Sequence, residues 1–374
     1  MSRAFAAAWL KSTKNSRFCG VSRIGMDAVF YHLFTGSTRG GVQSFAAVAT
    51  DATADERRSL TVRSRGLVYG AAAALFVVAL VLAALRAAEQ PGRLSDWQAL
   101  VLGVTQGATE LLPISSSGHL ILVPWLFDWR YLEAHEDFNK TFDVALHLGT
   151  LVAVVAYFWA DVVRYVTAFV RSVGARAVRT AEERIAWAIA IATIPAAAVG
   201  AVGEDAIDRH LGEPWQIAIF LAVFAGLLWL ADRTPERARL DDLGLVRATA
   251  IGISQILALM PGVSRSGITI TTGRFSGLTR DAAARFSFLL LIPIVLGVVL
   301  YKGLKHVVLN PLPPGSTGPF VVGTVASAAV GLVAIDVLLG YVRRHDYTPF
   351  VLYRLAVAAF VLLVILAGWR EASF

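Results

Sequence analysis

The sequence is short of cysteine and of charge. Cys19 is the single cysteine among 374 residues, which excludes an internal disulfide and a cysteine-based metal cluster. Charged residues make up only 16% of the chain, whereas hydrophobic residues make up 56%, and soluble domains contain about 25% charged residues. The composition therefore predicts a membrane protein. The net charge of +7 does not indicate nucleic-acid binding, because the cations mark one side of a bilayer.

Apolar stretches long enough to cross a bilayer recur along the chain. About 20 apolar residues are needed to span the hydrocarbon core, and residues 66–85 form such a run between Arg65 and Arg86. Further candidate spans lie at about 143–160, 185–203, 215–231, 286–301, 320–342 and 349–368. The predicted fold class is therefore an all-α polytopic membrane protein.

Cations are unevenly distributed over the connections between these spans. The first 65 residues are basic, and arginines are concentrated at 161–184, 232–247 and 343–344. The positive-inside rule places such connections in the cytoplasm. Other connections, such as 204–213, contain acids and few cations. They are predicted to lie on the opposite, extracytoplasmic side.

Two stretches of the chain look like distorted copies of each other. Each begins with Gly-x-x-Gln, continues through apolar residues, and ends with a proline followed by a Ser-x-Ser-Gly turn. The first runs from Gly103 to Gly118, directly before His119, and the second runs from Gly252 to Gly267. Both place uncommon polar residues in apolar surroundings, which indicates a duplicated membrane scaffold.

The segments around both motifs are predicted to be re-entrant helix hairpins. With the sidedness above, residues 97–128 begin and end outside, and residues 247–275 begin and end in the cytoplasm. Non-helical backbone at membrane depth is tolerated only when protein or a wet cavity surrounds it. Three spans follow each hairpin, so the second half (about 247–368) is inserted upside down relative to the first (about 97–231). The pattern predicts an inverted-topology repeat whose tips converge near the midplane.

The tips carry groups that are suited to phosphoryl transfer. Gln106 and Glu110 are four residues apart, so they share one helix face. Serine-rich turns at helix starts present N–H groups and hydroxyls to anions, and an activated serine is a nucleophile. His119 is suited to proton transfer, and Arg265 is suited to bidentate phosphate binding. The predicted phosphate-binding residues are Gln106, Ser115, Ser117, Gly118, Ser264, Ser266 and Gly267.

Structural roles are the alternative for each of these residues. Serine and glycine clusters often form ordinary turns or helix contacts in membranes, and Glu110 and Arg265 could simply pair with each other. Ionisable side chains at membrane depth are costly and usually functional, which favours a site. Asp336 is expected to be hydrated near the cytoplasmic end of its span. Asp143 and His147, beside the first motif, are expected to support the site at most.

Together the two motifs resemble those of the undecaprenyl-diphosphate phosphatase family of the bacitracin-resistance type. The stretches 106–119 and 261–267 carry the resemblance, which extends over about residues 95–370. Weaker similarity lies at 141–149, 282–293 and 353–354. The resemblance implies hydrolysis of undecaprenyl diphosphate to the monophosphate at the outer side of a bacterial plasma membrane. It also implies a role in recycling the lipid carrier of peptidoglycan synthesis, with bacitracin competing for the same lipid.

Carried over by motif position, the resemblance implies catalytic roles for Glu110, Ser116, His119 and Arg265. It further implies Mg²⁺ or Ca²⁺ as a cofactor, bound by Glu110 together with Gln106. Because Gln106 is uncharged, the first tip has one carboxylate, which weakens a two-carboxylate metal site. Whether Ser116 or a water molecule attacks the phosphorus stays open, as does the oligomeric state, with a homodimer among the options.

The chain before the region of resemblance is predicted to contain two further parts. Residues 1–65 are expected to be a basic, disordered cytoplasmic tail, with Met26 as an alternative start of the protein. Residues 66–92 are expected to contain one additional transmembrane helix, and residues 93–374 form the membrane phosphatase domain.

Two other functions match parts of the pattern. Acid-phosphatase-type lipid phosphatases share Ser-Gly-His and Ser-Arg elements but require a histidine after Ser-Arg, and residues 266–272 contain none. That function is excluded. A flippase for polyprenyl phosphates is the remaining alternative, because inverted repeats are a common transporter architecture.

Overall fold

The fold was analysed in a computed structural model, which describes residues 66, 68–84, 93–303 and 316–373. The predicted tail at 1–65 lies outside these residues. The described residues are almost entirely helical, with an isolated β-bridge between Ala238 and Leu278, which confirms the all-α prediction. The helices are α1 (Val68–Ala84), α2 (Asp96–Leu111), α3 (Ser116–Phe127), α4 (Arg130–Ala134), α5 (Glu136–Tyr157), α6 (Trp159–Ala175), α7 (Ala181–His210), α8 (Pro214–Asp232), α9 (Leu245–Ser254), α10 (Arg265–Phe275), α11 (Arg280–Gly303), α12 (Thr317–Val342) and α13 (Thr348–Leu366).

Six of these helices are long and apolar enough to cross a membrane. They are α5, α7, α8, α11, α12 and α13, and each coincides with a predicted span. The chain is therefore a multi-pass membrane protein. Helix α1 is also apolar over its 17 described residues. It packs its buried alanines, Ala79 and Ala83, against Leu100 of α2 and Val322 of α12.

The arginine-rich connection after α5 is largely helical. Helix α6 exposes an apolar stripe formed by Val163, Val166, Val170 and Val173, with a spacing of three and four residues. The arginines of this stretch, among them Arg164, predict a cytoplasmic connection but not a helix. An exposed apolar stripe beside cationic side chains is instead typical of a helix that lies in the membrane interface.

Both motif segments are broken helices with the same local geometry. Helix α2 ends before Pro113, and α3 begins after Ser115, whose φ is 79°. A 3₁₀ turn follows α9, and α10 begins after Ser264, whose φ is 76°. Each of these serines accepts a hydrogen bond from the backbone N–H three residues later, as an N-cap does. Non-glycine residues rarely adopt positive φ, so the shared value is a specific property of the two turns.

Motif glycines allow two helices to approach at backbone distance. A Cβ atom on Gly103 of α2 would lie 2.4 Å from the carbonyl oxygen of Gly323 in α12. A Cβ atom on Gly252 of α9 would lie 2.6 Å from the carbonyl oxygen of Ala192 in α7. Small residues permit such contacts between membrane helices. The Gly-x-x-Gln starts therefore fix α2 on α12 and α9 on α7.

The prediction that Asp336 is hydrated is wrong. The residue is only 6% exposed and accepts hydrogen bonds from the hydroxyls of Tyr69, at 2.9 Å, and Tyr157, at 3.1 Å. A carboxylate can be buried when hydrogen-bond donors replace water. Asp336 thus ties α1 and α5 to α12.

Candidate active site

The tips of the two broken helices meet through an ion pair. Nη2 of Arg265, at the start of α10, lies 2.9 Å from Oε1 of Glu110, at the end of α2. The Glu110 side chain is 6% exposed and the Arg265 side chain 11% exposed. The structure thus brings together the acid and the guanidinium on which the sequence prediction depended.

Three more side chains surround the second carboxylate oxygen of Glu110. The Ser116 hydroxyl donates a short hydrogen bond to Oε2, and Nε2 of Gln106 donates to the same oxygen at 3.3 Å. Nε2 of His147, from α5, faces it at 3.6 Å. The predicted residues Gln106 and Ser116 therefore belong to the same cluster as Glu110 and Arg265. His147 was expected only to support the site, yet it is in contact with the central carboxylate.

Arg265 is held from its other side by α11. Its Nη1 donates to the carbonyl oxygen of Ser287 at 2.7 Å and to the Ser287 hydroxyl at 3.3 Å. The hydroxyl of Thr269 donates to Ser287 Oγ at 2.8 Å. Ser287 lies in an apolar span, where a serine is more often a packing residue, so this role could not be predicted from the sequence pattern.

The other predicted phosphate-binding serines are engaged with the protein. Ser115 and Ser264 cap the N–H groups of Gly118 and Gly267, at 3.4 and 3.0 Å. The hydroxyl of Ser266 donates to the carbonyl oxygen of Leu112 at 3.0 Å and so joins the two tips. The hydroxyls of Ser115 and Ser117 are 3.5 Å apart. Contacts from this group to an anion would come chiefly from the backbone N–H groups at the starts of α3 and α10.

His119 points away from the Glu110 cluster. Its Nδ1 lies 2.7 Å from the carbonyl oxygen of Ser115, and its Nε2 lies 2.8 Å from the Tyr353 hydroxyl. Since a carbonyl only accepts, Nδ1 carries the hydrogen, and Nε2 of the neutral ring accepts from Tyr353. The ring also stacks on Tyr353. Of the four predicted catalytic residues, His119 is the one whose hydrogen bonds lead elsewhere.

An arginine without a predicted role links the two tips. Arg354, in α13, is fully buried. Its Nη1 donates to the carbonyl oxygen of Pro113 at 3.3 Å, and its Nη2 donates to those of Gly262 and Val263, both at 3.1 Å. Nε donates to the carbonyl oxygen of Leu221 in α8. The sequence does contain one indication of this role, because an arginine within an apolar span is costly and is usually functional.

An apolar cavity of about 530 Å³ lies beside His119. Its walls come from α2, α3 and α13, and include Leu112, Val123, Phe350 and Tyr353. Tyr353 is 42% exposed, so the cavity is open at the edge of the helix bundle. It offers apolar surface next to the polar tips.

A small donor set at the tips fits a divalent cation. In the part of the chain that the structure describes, no group of three or more His, Cys, Asp or Glu side chains forms a metal site. However, Oε1 of Gln106 is buried there without a hydrogen-bond partner. Nε2 of the same amide contacts Oε2 of Glu110, and Nε2 of His147 lies 3.6 Å from that carboxylate oxygen. One carboxylate, one amide and one imidazole are therefore available to a cation.

Comparison with known proteins gives a consistent result. The protein family described as bacitracin resistance protein BacA matches residues 99–360. An undecaprenyl-diphosphatase from Desulforudis audaxviator is 46% identical over 275 residues, which cover 73% of this chain and 99% of that protein. Undecaprenyl-diphosphatases from Moorella thermoacetica and Geobacter metallireducens are 45% and 46% identical, each over 71% of this chain and 97% of their own length.

Proposed function

We propose that the chain, which belongs to the bacitracin resistance protein BacA family, is an undecaprenyl-diphosphatase. It would hydrolyse undecaprenyl diphosphate to undecaprenyl phosphate and inorganic phosphate, recycle the lipid carrier for peptidoglycan synthesis and protect against bacitracin, which binds the same lipid. The names of its relatives support this activity. The observation that carries it is the contact of Glu110 with both Ser116 and Arg265.

These three residues can perform the two tasks of phosphoryl transfer, which are positioning and stabilisation of charge. Arg265 is placed to bind oxygens of the terminal phosphate. Ser116 Oγ, oriented by its hydrogen bond to Glu110, would attack the terminal phosphorus while its proton passes to Oε2. The bond to the bridging oxygen breaks, undecaprenyl phosphate leaves, and water then releases phosphate from the serine.

Direct attack by water, with Glu110 as the base, is the second route. It needs the same carboxylate and the same arginine but forms no covalent intermediate. Acid quenching of the enzyme during turnover with ³²P-labelled substrate separates the two routes, because only the serine route leaves label on the protein.

A divalent cation would supply further positive charge to the diphosphate. The family resemblance implies Mg²⁺ or Ca²⁺. Gln106 and Glu110 are the expected ligands, and the buried amide oxygen of Gln106 supports this assignment.

The apolar cavity beside His119 is suited to the isoprenoid chain. Its walls are largely aliphatic and aromatic, and burial of apolar surface is worth about 25 cal/mol per Å². A lipid that enters from the bilayer would place its tail along α13 and its diphosphate at the tips. In this arrangement, His119 and Tyr353 contact the substrate where head and tail meet.

The two motif segments are proposed to be re-entrant hairpins of an inverted repeat. The similar φ values of Ser115 and Ser264 support the relation. The contacts between the two halves support it too. Helix α2 of the first half packs on α12 of the second half, and α9 of the second half packs on α7 of the first half. The distribution of cations supports a site that opens to the extracytoplasmic side. The hydrolase names of the relatives favour hydrolysis over the flippase alternative.

Phosphate release from undecaprenyl diphosphate by the purified protein tests the proposed function. Arg265→Ala and Glu110→Gln should each lower kcat by about 10²–10³-fold, the scale of losing a charged contact to the transition state. Arg344→Ala is the matched control, since Arg344 is exposed and lies outside the site. Full activity in both site variants would defeat the assignment. A Glu110→Gln protein that is inert but still moves the lipid between leaflets would support the flippase.

A further inference from the structure

Two hydroxyl groups lie behind the guanidinium of Arg265. Its Nη1 donates to the carbonyl oxygen of Ser287 at 2.7 Å and to the hydroxyl of the same residue at 3.3 Å. The Thr269 hydroxyl lies 2.8 Å from Ser287 Oγ and 2.8 Å from the carbonyl oxygen of Arg265 itself. The contacts therefore lead from the guanidinium through two side chains back to the backbone of the same arginine.

This network is shielded from water. Thr269, in α10, and Ser287, in α11, are both fully buried. Hydrogen bonds in surroundings of low dielectric constant are strong, and neighbouring ones polarise each other. The two hydroxyls can therefore hold the guanidinium in one orientation, which is required of a group that stabilises charge in a transition state.

The protein uses only part of the donor capacity of Arg265. A guanidinium has five N–H bonds. Nη1 is committed to Ser287, and Nη2 donates to Oε1 of Glu110 at 2.9 Å. These are the hydrogen bonds of the guanidinium to the described residues, so Nε and the second N–H of Nη2 stay available to a ligand. The side chain is 11% exposed, which leaves part of it accessible.

We propose that Ser287, supported by Thr269, is a positioning residue for phosphoryl transfer. By anchoring Nη1, it directs Nε and Nη2 of Arg265 to two oxygens of the terminal phosphate, the bidentate contact to which a guanidinium is suited. Glu110 borders the bound phosphate through Oε1, and its Oε2 accepts from Ser116. The phosphorus is thus held beside these two groups. The inference rests on the proposed function, because the phosphate is that of the lipid substrate.

Removal of either hydroxyl tests this role. Ser287→Ala and Thr269→Val change the packing volume little but break the network. Each should lower kcat for phosphate release from undecaprenyl diphosphate about tenfold, the lower end of the scale for losing a hydrogen bond to a charged group. KM should change less than about twofold, because a misdirected guanidinium chiefly weakens a contact of the transition state. Thr269→Ser keeps the hydroxyl and should keep kcat.

A combination with Arg265→Ala separates positioning from a purely structural role. Once the guanidinium is gone, Ser287 has nothing left to position, so Ser287→Ala should not lower the residual kcat of Arg265→Ala any further. A residue that only supports the fold would lower kcat by the same factor in both backgrounds.

Ser172→Ala is the matched control for the loss of a buried hydroxyl. Ser172 is also buried, and its hydroxyl contacts Phe169 and Trp187 in α6 and α7. This variant should keep the kcat of the wild type. An unchanged kcat in Ser287→Ala would overturn the inference, as would an equal loss with and without Arg265. If Ser287→Ala does not fold, Thr269→Val decides the question in its place.

Orthovanadate, an analogue of the phosphoryl group in transfer, reports on Arg265 without turnover. Titration of the full-length protein, followed by vanadium NMR, should give about tenfold weaker binding in Ser287→Ala than in the wild type, in parallel with kcat. A wild type that shows this difference but releases no phosphate from the lipid would defeat the proposed function and leave the inference standing. Normal hydrolysis, with equal vanadate affinity in both proteins, would do the reverse.

Discussion

Arg354 is a buried cation whose partners are carbonyl oxygens of the backbone. Among its hydrogen bonds are those to Pro113 in the first tip and to Gly262 and Val263 in the second. These carbonyls lie at breaks in helices, where no following turn can use them. The guanidinium thus replaces the missing helical hydrogen bonds and fixes the distance between the tips. Glu110 and Arg265 can meet because this distance is fixed.

Replacement of Arg354 should therefore impair the enzyme at two levels. In Arg354→Met the carbonyl groups at the tips lose their donor, at about 1–3 kcal/mol for each buried group left unsatisfied, so the melting temperature in detergent should fall. Arg354→Lys keeps the charge but not the planar fork, so it should fold better and still lose about 10²-fold in kcat, as expected for a displacement of roughly 1 Å at the reacting groups. Thermal unfolding and phosphate release measure the two effects, and a fully active Arg354→Lys would contradict this role.

At the residue scale, local spacing predicted one part of the site and missed another. Glu110 and Ser116 could be found because a helix and the turn after it bring them together. His147, Ser287 and Arg354 come from separate spans, and their contacts depend on how those spans are rotated about their axes. Hydrophobic periodicity is weak in helices that are apolar all round, so the sequence contains little information on that rotation.

At the scale of helices, the broken hairpins depend on close backbone contacts. Gly103 and Gly107 place α2 directly against α12, and Gly252 places α9 against α7. Membrane helices gain little from the hydrophobic effect when they associate, so the closeness of packing determines their stability. Glu110 lies at the end of α2, and Arg265 starts α10 after the 3₁₀ turn that follows α9, so a displacement of α2 or α9 also moves these two residues.

Alanine at these glycines should push the helices apart. Gly103→Ala and Gly252→Ala should each destabilise the protein by about 1–3 kcal/mol, the cost of overpacking, and should lower kcat because the tips separate. Gly226→Ala in α8 is the matched control, since nothing lies within 4 Å of its added Cβ atom. It should be neutral or slightly stabilising, because alanine favours helix. Thermal unfolding of the three variants measures this; equal effects in all three would contradict the packing argument.

The sequence predicted the long apolar helices better than the amphipathic helix between two of them. The six candidate spans were found from apolar length alone, since a bilayer requires continuous helices. Helix α6 was missed because its arginines were read as a loop, whereas its valines recur along one side. Val163 and Val170 belong to a pattern that extends over only 17 residues, and cationic residues interrupt it.

At the scale of the whole molecule, sidedness decides what the site can reach. Exposed arginines follow the ends of α8 and α12, whereas Glu213 lies in the connection between α7 and α8. If the basic side is cytoplasmic, the first hairpin enters from outside, and the cavity between α2 and α13 admits lipid toward an extracytoplasmic site. The opposite orientation would expose the same residues to a lipid pool on the other leaflet.

Cysteine accessibility tests this orientation, and the chain suits the experiment because Cys19 is its single cysteine. In a Cys19→Ser background, Glu213→Cys marks the α7–α8 connection, and Arg239→Cys marks the connection between α8 and α9. A membrane-impermeant maleimide should label Glu213→Cys in cells with an intact plasma membrane and a permeable outer layer. It should label Arg239→Cys only after the membrane is disrupted, because arginine-rich connections stay in the cytoplasm. Labelling of Arg239→Cys alone in intact cells would reverse the orientation and place the substrate on the cytoplasmic leaflet.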